Sequence, residues 1–288
     1  MHAEYFESIA KYDYISFAKA LDSKDGVLGI SIVRLGVDNI LNTTQMIDSE
    51  GNIDYDKISK FSTSDYAGII SYAFRPGGNQ KLSVGINAKI VYRNIGKFAN
   101  GFGFGFDAGA IYRADSGYQF GAMLRDATTT VNFWSINQKE LSAVVNGEEF
   151  NPAPKDKMEI TMPKLNLGVS KNFEINRDLE LLPEAGLNVD FAKTAAVIST
   201  DFASISPYLG AELSFQKMIF VRAGLNRFQT VTDIEDLKRK VSMQPSAGIG
   251  IKYKGLTLDY AITNTGIGGS NYFSNFFSLK LDMRDFRY

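Results

Sequence analysis

Every second residue of the stretch GFGFGFDAGAIYR, Gly101 to Arg113, is apolar. In an extended chain successive side chains point to opposite faces. Phe102, Phe104, Phe106, Ala108, Ala110 and Tyr112 then share one face, and Gly103, Gly105, Asp107, Gly109 and Arg113 the other. A helix would scramble both sets. The G-x-G-x-G spacing of Gly101, Gly103 and Gly105 is not a dinucleotide loop, which needs G-x-G-x-x-G between a strand and a helix. The stretch reads as a strand with one greasy face, its small residues leaving room on the other or letting the strand curve.

The same alternation recurs over Leu82–Tyr92 and Val241–Tyr253. Marking every such run predicts about thirteen strands, near 12–21, 26–38, 62–74, 81–95, 102–115, 117–127, 162–174, 178–193, 202–216, 218–228, 241–253, 255–265 and 271–282. Many reach the 9–11 residues that a tilted strand needs to cross a bilayer, whereas globular strands average five or six. Tight turns such as DSG, QK and KG alternate with longer excursions near 39–61, 128–161 and 229–240. Short turns at one end and longer loops at the other are the pattern of an outer-membrane barrel, and a soluble sandwich has no reason to sort its loops so. Residues 1–288 therefore read as one all-β domain, a transmembrane antiparallel barrel. Single-chain bacterial barrels have an even strand count, and the first visible strand descends into a short turn. The expectation is about fourteen strands, with one ascending strand and a signal peptide lying upstream of Met1.

Composition narrows the function. The 31 basic and 32 acidic residues nearly cancel, which gives nucleic acid nothing to be drawn to. There is no cysteine, and the one histidine is His2, so no Ser/His/Asp or Cys/His constellation can be built. The expectation is a protein that is not an enzyme and carries no cofactor or metal.

The segments HAEYFESIAKYDYISFA, LGISIVRLGVDNI, FSTSDYAGIISYAF, VGINAKIVYRNIG, GFGFGFDAGAIYR and GAMLRDATTTVNFW resemble the PorV/PorQ family of outer-membrane proteins of Bacteroidetes, relatives of the FadL-type transporters. The resemblance runs over nearly the whole chain and is strongest from His2 to Trp134. It implies a FadL-like barrel of fourteen strands whose N-terminal portion, with a hatch segment, is missing here. It also implies a role in type IX protein secretion, with cargo or secretion-system proteins as partners. The alternative is a FadL-like transporter of hydrophobic small molecules, marked by an apolar pocket in the lumen; a lumen filled by ion pairs would argue against it.

Alternation places Lys89, Arg93, Asp107, Arg113, Glu180, Glu184, Asp190, Glu212, Arg222, Lys252 and Asp259 on the face away from lipid, where a charge avoids a cost of roughly 2–4 kcal/mol for Arg or Lys at the bilayer midplane. Such charges make either a selective pore or an internal network of ion pairs, and their mixed signs favour the network. Phe133 and Trp134 open the longest loop; they are either an aromatic girdle at the outer interface or a partner-binding anchor. Arg125 and Asp126 tie the preceding strand end to that loop. Asp48, Glu50, Asp54 and Asp56 lack the spacing of a calcium loop and read as a solvated acidic turn. TDIEDLKRK, Thr232 to Lys240, has the caps of a short surface helix.

Overall fold

In the computed structural model these runs close into one antiparallel barrel. The structure describes residues 1–21, 26–48, 50–141, 143–145, 148–150, 157–232, 239–266 and 272–283. The strands are β1 His2–Tyr5, β2 Ala10–Ala20, β3 Val27–Asn42, β4 Ser59–Phe74, β5 Leu82–Ile95, β6 Ala99–Arg113, β7 Tyr118–Arg125 and β8 Thr130–Ile136. A one-turn helix α1, Gln138–Leu141, and a hairpin of β9 Ala143–Val145 with β10 Glu148–Phe150 follow. The wall resumes with β11 Met158–Thr161, β12 Lys164–Lys171, β13 Phe173–Glu174, β14 Leu179–Asp190, β15 Ile198–Ser199, β16 Ser204–Phe215, β17 Ile219–Thr232, β18 Arg239–Tyr253, β19 Leu256–Asn264 and β20 Phe273–Leu281.

β6 pairs with β7 along its lower half and with β8 along its upper half, so β7 and β8 are two segments of one wall strand, broken by a bulge at 126–129. β11, β12 and β13 likewise make the next one. Counted around the ring there are fourteen wall positions. β1 takes the fourteenth, pairing β2 on one side and β20 on the other over its few residues. The wall position expected to lie upstream of the chain is thus occupied within it, by His2–Tyr5. Toward the periplasm, Ile15–Ala20 and Ser278–Leu281 face one another across the position below β1.

One other expectation changes, and a second falls mostly outside the described residues. Residues 128–161 are not one loop: the wall continues through β8 and β11, because Val131 and Phe133 keep alternating with Asn132 and Trp134. Most of the predicted helix after Thr232, residues 233–238, lies outside the described residues, and β17 and β18 run to its edges.

The periplasmic turns follow residue chemistry. Gln216 and Lys217 both take positive φ, as do Lys254 and Gly255, the two-residue geometry that matches the twist of a hairpin. Around the wall, residues paired across strands share a face. Outward residues such as Ile86, Ile90, Phe102, Phe104, Phe106, Leu209, Ile249 and Leu279 are exposed. Among the described residues no helix is long and apolar enough to cross a membrane, whereas this outward belt is the apolar band of a membrane barrel.

Among the described residues there is no packed core. The only buried apolar residues described are Ala3, Ala10, Phe98 and Ala196. Accessible surface is 19083 Å², against about 12,000 Å² for a compact protein of this mass. The excess belongs to two exposed faces, one outside the wall and one lining a lumen.

Candidate functional site: the lumen and its external mouth

On β6 the inward residues Gly101, Gly103, Gly105 and Asp107 are buried while Phe102, Phe104 and Phe106 are exposed. The glycines are covered by the inward side chains of β8. A Cβ on Gly101 would sit 3.1 Å from the Trp134 ring. On Gly103 it would meet Asn132 Oδ1 at 2.1 Å, and on Gly105 Thr130 Oγ1 at 2.0 Å. Their absence lets neighbouring side chains lie flat along the wall.

The inward charges form clusters along the wall. Lys89 Nζ reaches Asp107 Oδ1 at 2.7 Å and also contacts Asp126, and the Asp107 carboxylate accepts the Asp126 backbone N–H at 2.9 Å. Thr130 donates its hydroxyl to Asp126. This buried group ties the 126–129 bulge to β5 and β6, so Asp126 anchors the strand end to the wall itself. Lower down, Arg222 holds Glu212 and Asp259 at 2.6 Å each, and Ser278 donates to Asp259 at 3.3 Å. Near the outer rim, Arg93 pairs with Asp65 at 3.2 Å and with Glu159 at 2.9 Å.

The remaining predicted charges are scattered. Asp190 pairs with Lys164 at 2.9 Å near the extracellular end of β14. Glu180 pairs with Lys217 at 2.9 Å by a periplasmic turn. Arg113 ends β6 on the same side, 3.5 Å from Ser83. Glu184 shares the inward face with Tyr208 and Glu212, and Lys252 lies opposite Thr257 near the periplasmic end, with no ion pair among the described residues. Sequence reasoning missed Asp65, Asp126 and Glu159 as partners. Glu159 was hidden by reading 128–161 as a loop, although its alternation with Met158 and Ile160 carried the signal.

Trp134 is neither in a loop nor on the outer girdle. Its indole points inward, donates to Glu159 at 2.9 Å and lies under the Arg93 guanidinium, 4.9 Å from the ring centre. Phe133, one residue away, faces outward and is exposed. Trp134, Phe61, Ile95, Phe98, Ile136 and Leu141 line a cavity of about 550 Å³ at the external mouth, with Phe61 and Phe98 packed edge to face at 5.0 Å. Deeper, on the other side, a cavity of about 720 Å³ is lined by Tyr5, Tyr12, Leu35, Ala261 and Phe276, with Arg227 and Gln244 as polar neighbours. The Arg93–Glu159 pair borders the first cavity through Glu159, whereas the Lys89 and Arg222 clusters line neither.

Two outer acidic residues are engaged by their own turns. Asp48 accepts the backbone N–H groups of Glu50 and Asn52 at 2.9 Å each and the Asn52 side-chain amide at 3.1 Å; these bonds hold its carboxyl below the usual carboxylate range. Asp54 caps a short 3₁₀ turn. Among the described residues no three His, Cys, Asp or Glu side chains are grouped to hold a metal ion.

No protein-family profile and no curated protein matches the chain. Solved structures do. The Pseudomonas putida toluene transporter TodX is similar at TM-score 0.54 and 12% identity, covering 96% of this chain and 84% of its own. The chain has the fold of a FadL-like outer-membrane barrel. The Ralstonia pickettii toluene transporter TbuX gives TM-score 0.54 at 12% identity over 97% and 87% of the two chains, and the monoaromatic hydrocarbon channel CymD 0.53 at 11% over 98% and 86%. At these identities the likeness is one of architecture: fourteen strands whose successive residues face lipid and lumen in turn. None of the three bears on PorV/PorQ membership or on type IX secretion.

Proposed function

We propose that this chain is a non-enzymatic outer-membrane channel that admits hydrophobic small molecules. The observation that carries it is the apolar cavity at the external mouth, walled by Trp134, Phe61, Phe98, Ile95 and Ile136, above a lumen whose Lys89 and Arg222 clusters are paired along the wall. A cavity of several hundred Å³ with mostly apolar lining and a few fixed polar groups is the usual form of a small-molecule site. Here the fixed groups are Glu159, held by Arg93 and the indole N–H, and Asn42. The deeper cavity, with its phenols and one guanidinium, offers a second station. The toluene and monoaromatic hydrocarbon channels of the same fold favour this reading. A cargo-binding role in type IX secretion rests on the PorV/PorQ resemblance alone.

The test is uptake of a radiolabelled monoaromatic hydrocarbon by cells whose own FadL-like channel is deleted and which display this protein folded in the outer membrane. Expression should raise uptake, and Trp134→Ala combined with Phe61→Ala should lower it several-fold with the barrel still folded. Uptake equal to that of non-expressing cells would refute the proposal.

A further inference from the structure

One sector of the outer wall breaks the apolar belt. His2, Glu4, Lys11, Asp13, Arg34 and Asp38 all project from the outward faces of β1, β2 and β3. The register fixes this: His2 pairs with Asp13 and Asp13 with Arg34, in a row continued outward by Phe277 on one side and Tyr66 on the other. Asp13 accepts from Arg34 Nη1 at 3.2 Å and meets His2 Nδ1 at 2.7 Å. Lys11 reaches Asp38 at 3.5 Å, and Ser8 donates to Glu4 at 2.8 Å. Each of the six side chains keeps between 32% and 44% of its surface open on that face.

Two of these groups, Asp13 and Arg34, are not simply above the membrane. Asp13 and Arg34 each lie seven residues up from the periplasmic ends of their strands, Ala20 and Val27. At a rise of 3.3 Å per residue and a tilt near 40° that is roughly 18 Å, inside an apolar band about 25 Å tall. At the same level elsewhere the outward residues are Phe106 on β6, Ile90 on β5 and, across the barrel, Leu187 on β14. Charge facing acyl chains is costly, and ionisable groups at membrane depth are found against protein or water.

We infer that this sector is an interface between two copies of the chain. The mixture of signs selects that occupant. An anionic lipid headgroup would meet Glu4, Asp13 and Asp38 interleaved with the bases. A two-fold interface instead needs a patch complementary to itself, and a patch carrying both signs side by side provides it, setting Lys11 of one copy against Asp38 of the other. Side-chain polar contacts between barrels also remove these groups from lipid, where they are least well solvated.

Because the chain has no cysteine, single-cysteine variants of the full chain report the contact without background. Glu4→Cys, Asp38→Cys and, as the control on the far wall, Leu187→Cys are oxidised in native outer membranes, and folding is verified by heat-modifiable gel migration. A disulfide-linked band at twice the chain mass from Glu4→Cys or Asp38→Cys, absent from Leu187→Cys, is the expected result. A folded protein that gives no band, an equal band from the control, or a product whose mass shows a different protein would each overturn it.

Discussion

The flattened side chains of the lumen make a quantitative prediction at Gly186. This inward residue of β14 lies opposite Gly168 on one side and Tyr208 on the other. A Cβ there would be 2.2 Å from the Leu167 carbonyl oxygen and 2.3 Å from the Tyr208 ring. Neither neighbour can yield cheaply: the carbonyl belongs to the ladder, and the Tyr208 hydroxyl donates to that same carbonyl at 3.3 Å. Gly186→Ala therefore overpacks the wall, at about 1–3 kcal/mol. Gly121, an inward glycine of β7 with nothing within 4 Å of its own Cβ position, is the matched control. Gly121→Ala restricts the unfolded chain and should stabilise by about 0.4–1 kcal/mol. The two variants should thus differ by about 1.5–4 kcal/mol. Urea unfolding in detergent micelles measures this, with Trp134, the single tryptophan, as a reporter remote from both sites. Adding Tyr208→Ala to Gly186→Ala should recover only part of the loss, since the carbonyl contact remains. Equal midpoints for Gly186→Ala and Gly121→Ala would refute the idea that inward glycines are steric requirements of the neighbouring strand.

The same assay tests the buried cluster under the bulge: Lys89→Met leaves the Asp107 and Asp126 carboxylates without their cation and should cost about 3–5 kcal/mol, and a loss below about 1 kcal/mol would mean that the cluster is solvated. The external turn at Asp48 should be pH-sensitive in one direction only. Its carboxyl titrates below its ordinary value, so its stabilisation is present above 3.8 and disappears as pH falls through the folded value; hydrogen exchange at the Glu50 and Asn52 amides should quicken there, and Asp48→Asn should remove the dependence.

The fold was legible because its period is two and its strands are long: Phe102 to Tyr112, Leu82 to Tyr92 and Met243 to Tyr253 each declare a face without any partner being known. What alternation does not declare is which strands are short or broken. β1 has four residues, too few for a period, and β8 follows a bulge in which Asp126 and Thr129 take positive φ and reset the phase. That reset moved Trp134 from an expected girdle to the lumen. Alternation also assigns charge to the lumen by default, because lipid is assumed everywhere outside. On β2 and β3 that assumption fails: Asp13 alternates in phase with Ile15 and Phe17, and Arg34 with Ile30 and Ile32, so the charges share the outward face with apolar residues. Partners such as Asp65 and Glu159 depend on register, which one strand's sequence does not contain.

Register also explains how a barrel so rich in inward charge keeps room inside. A fourteen-stranded wall tilted near 40° has a radius of roughly 14 Å, which side chains reaching straight inward would largely cross. Here they do not stand up. Trp134 lies over Gly101, Asn132 over Gly103, Thr130 and Lys89 over Gly105, Tyr208 over Gly168 and Gly186, and Arg222 over Gly250. Long side chains thereby find partners along the wall, as Lys89 finds Asp107 one strand away and Arg222 reaches past β18 to Asp259 on β19, instead of across the lumen. Among the described residues the Lys89 and Arg222 clusters are neutralised at the wall and line neither cavity. The glycines of GFGFGFDAGAIYR are therefore a property of the adjacent strand: they mark where its side chains lie down, and an inward glycine column in such a sequence predicts side chains laid along the wall rather than packed across it.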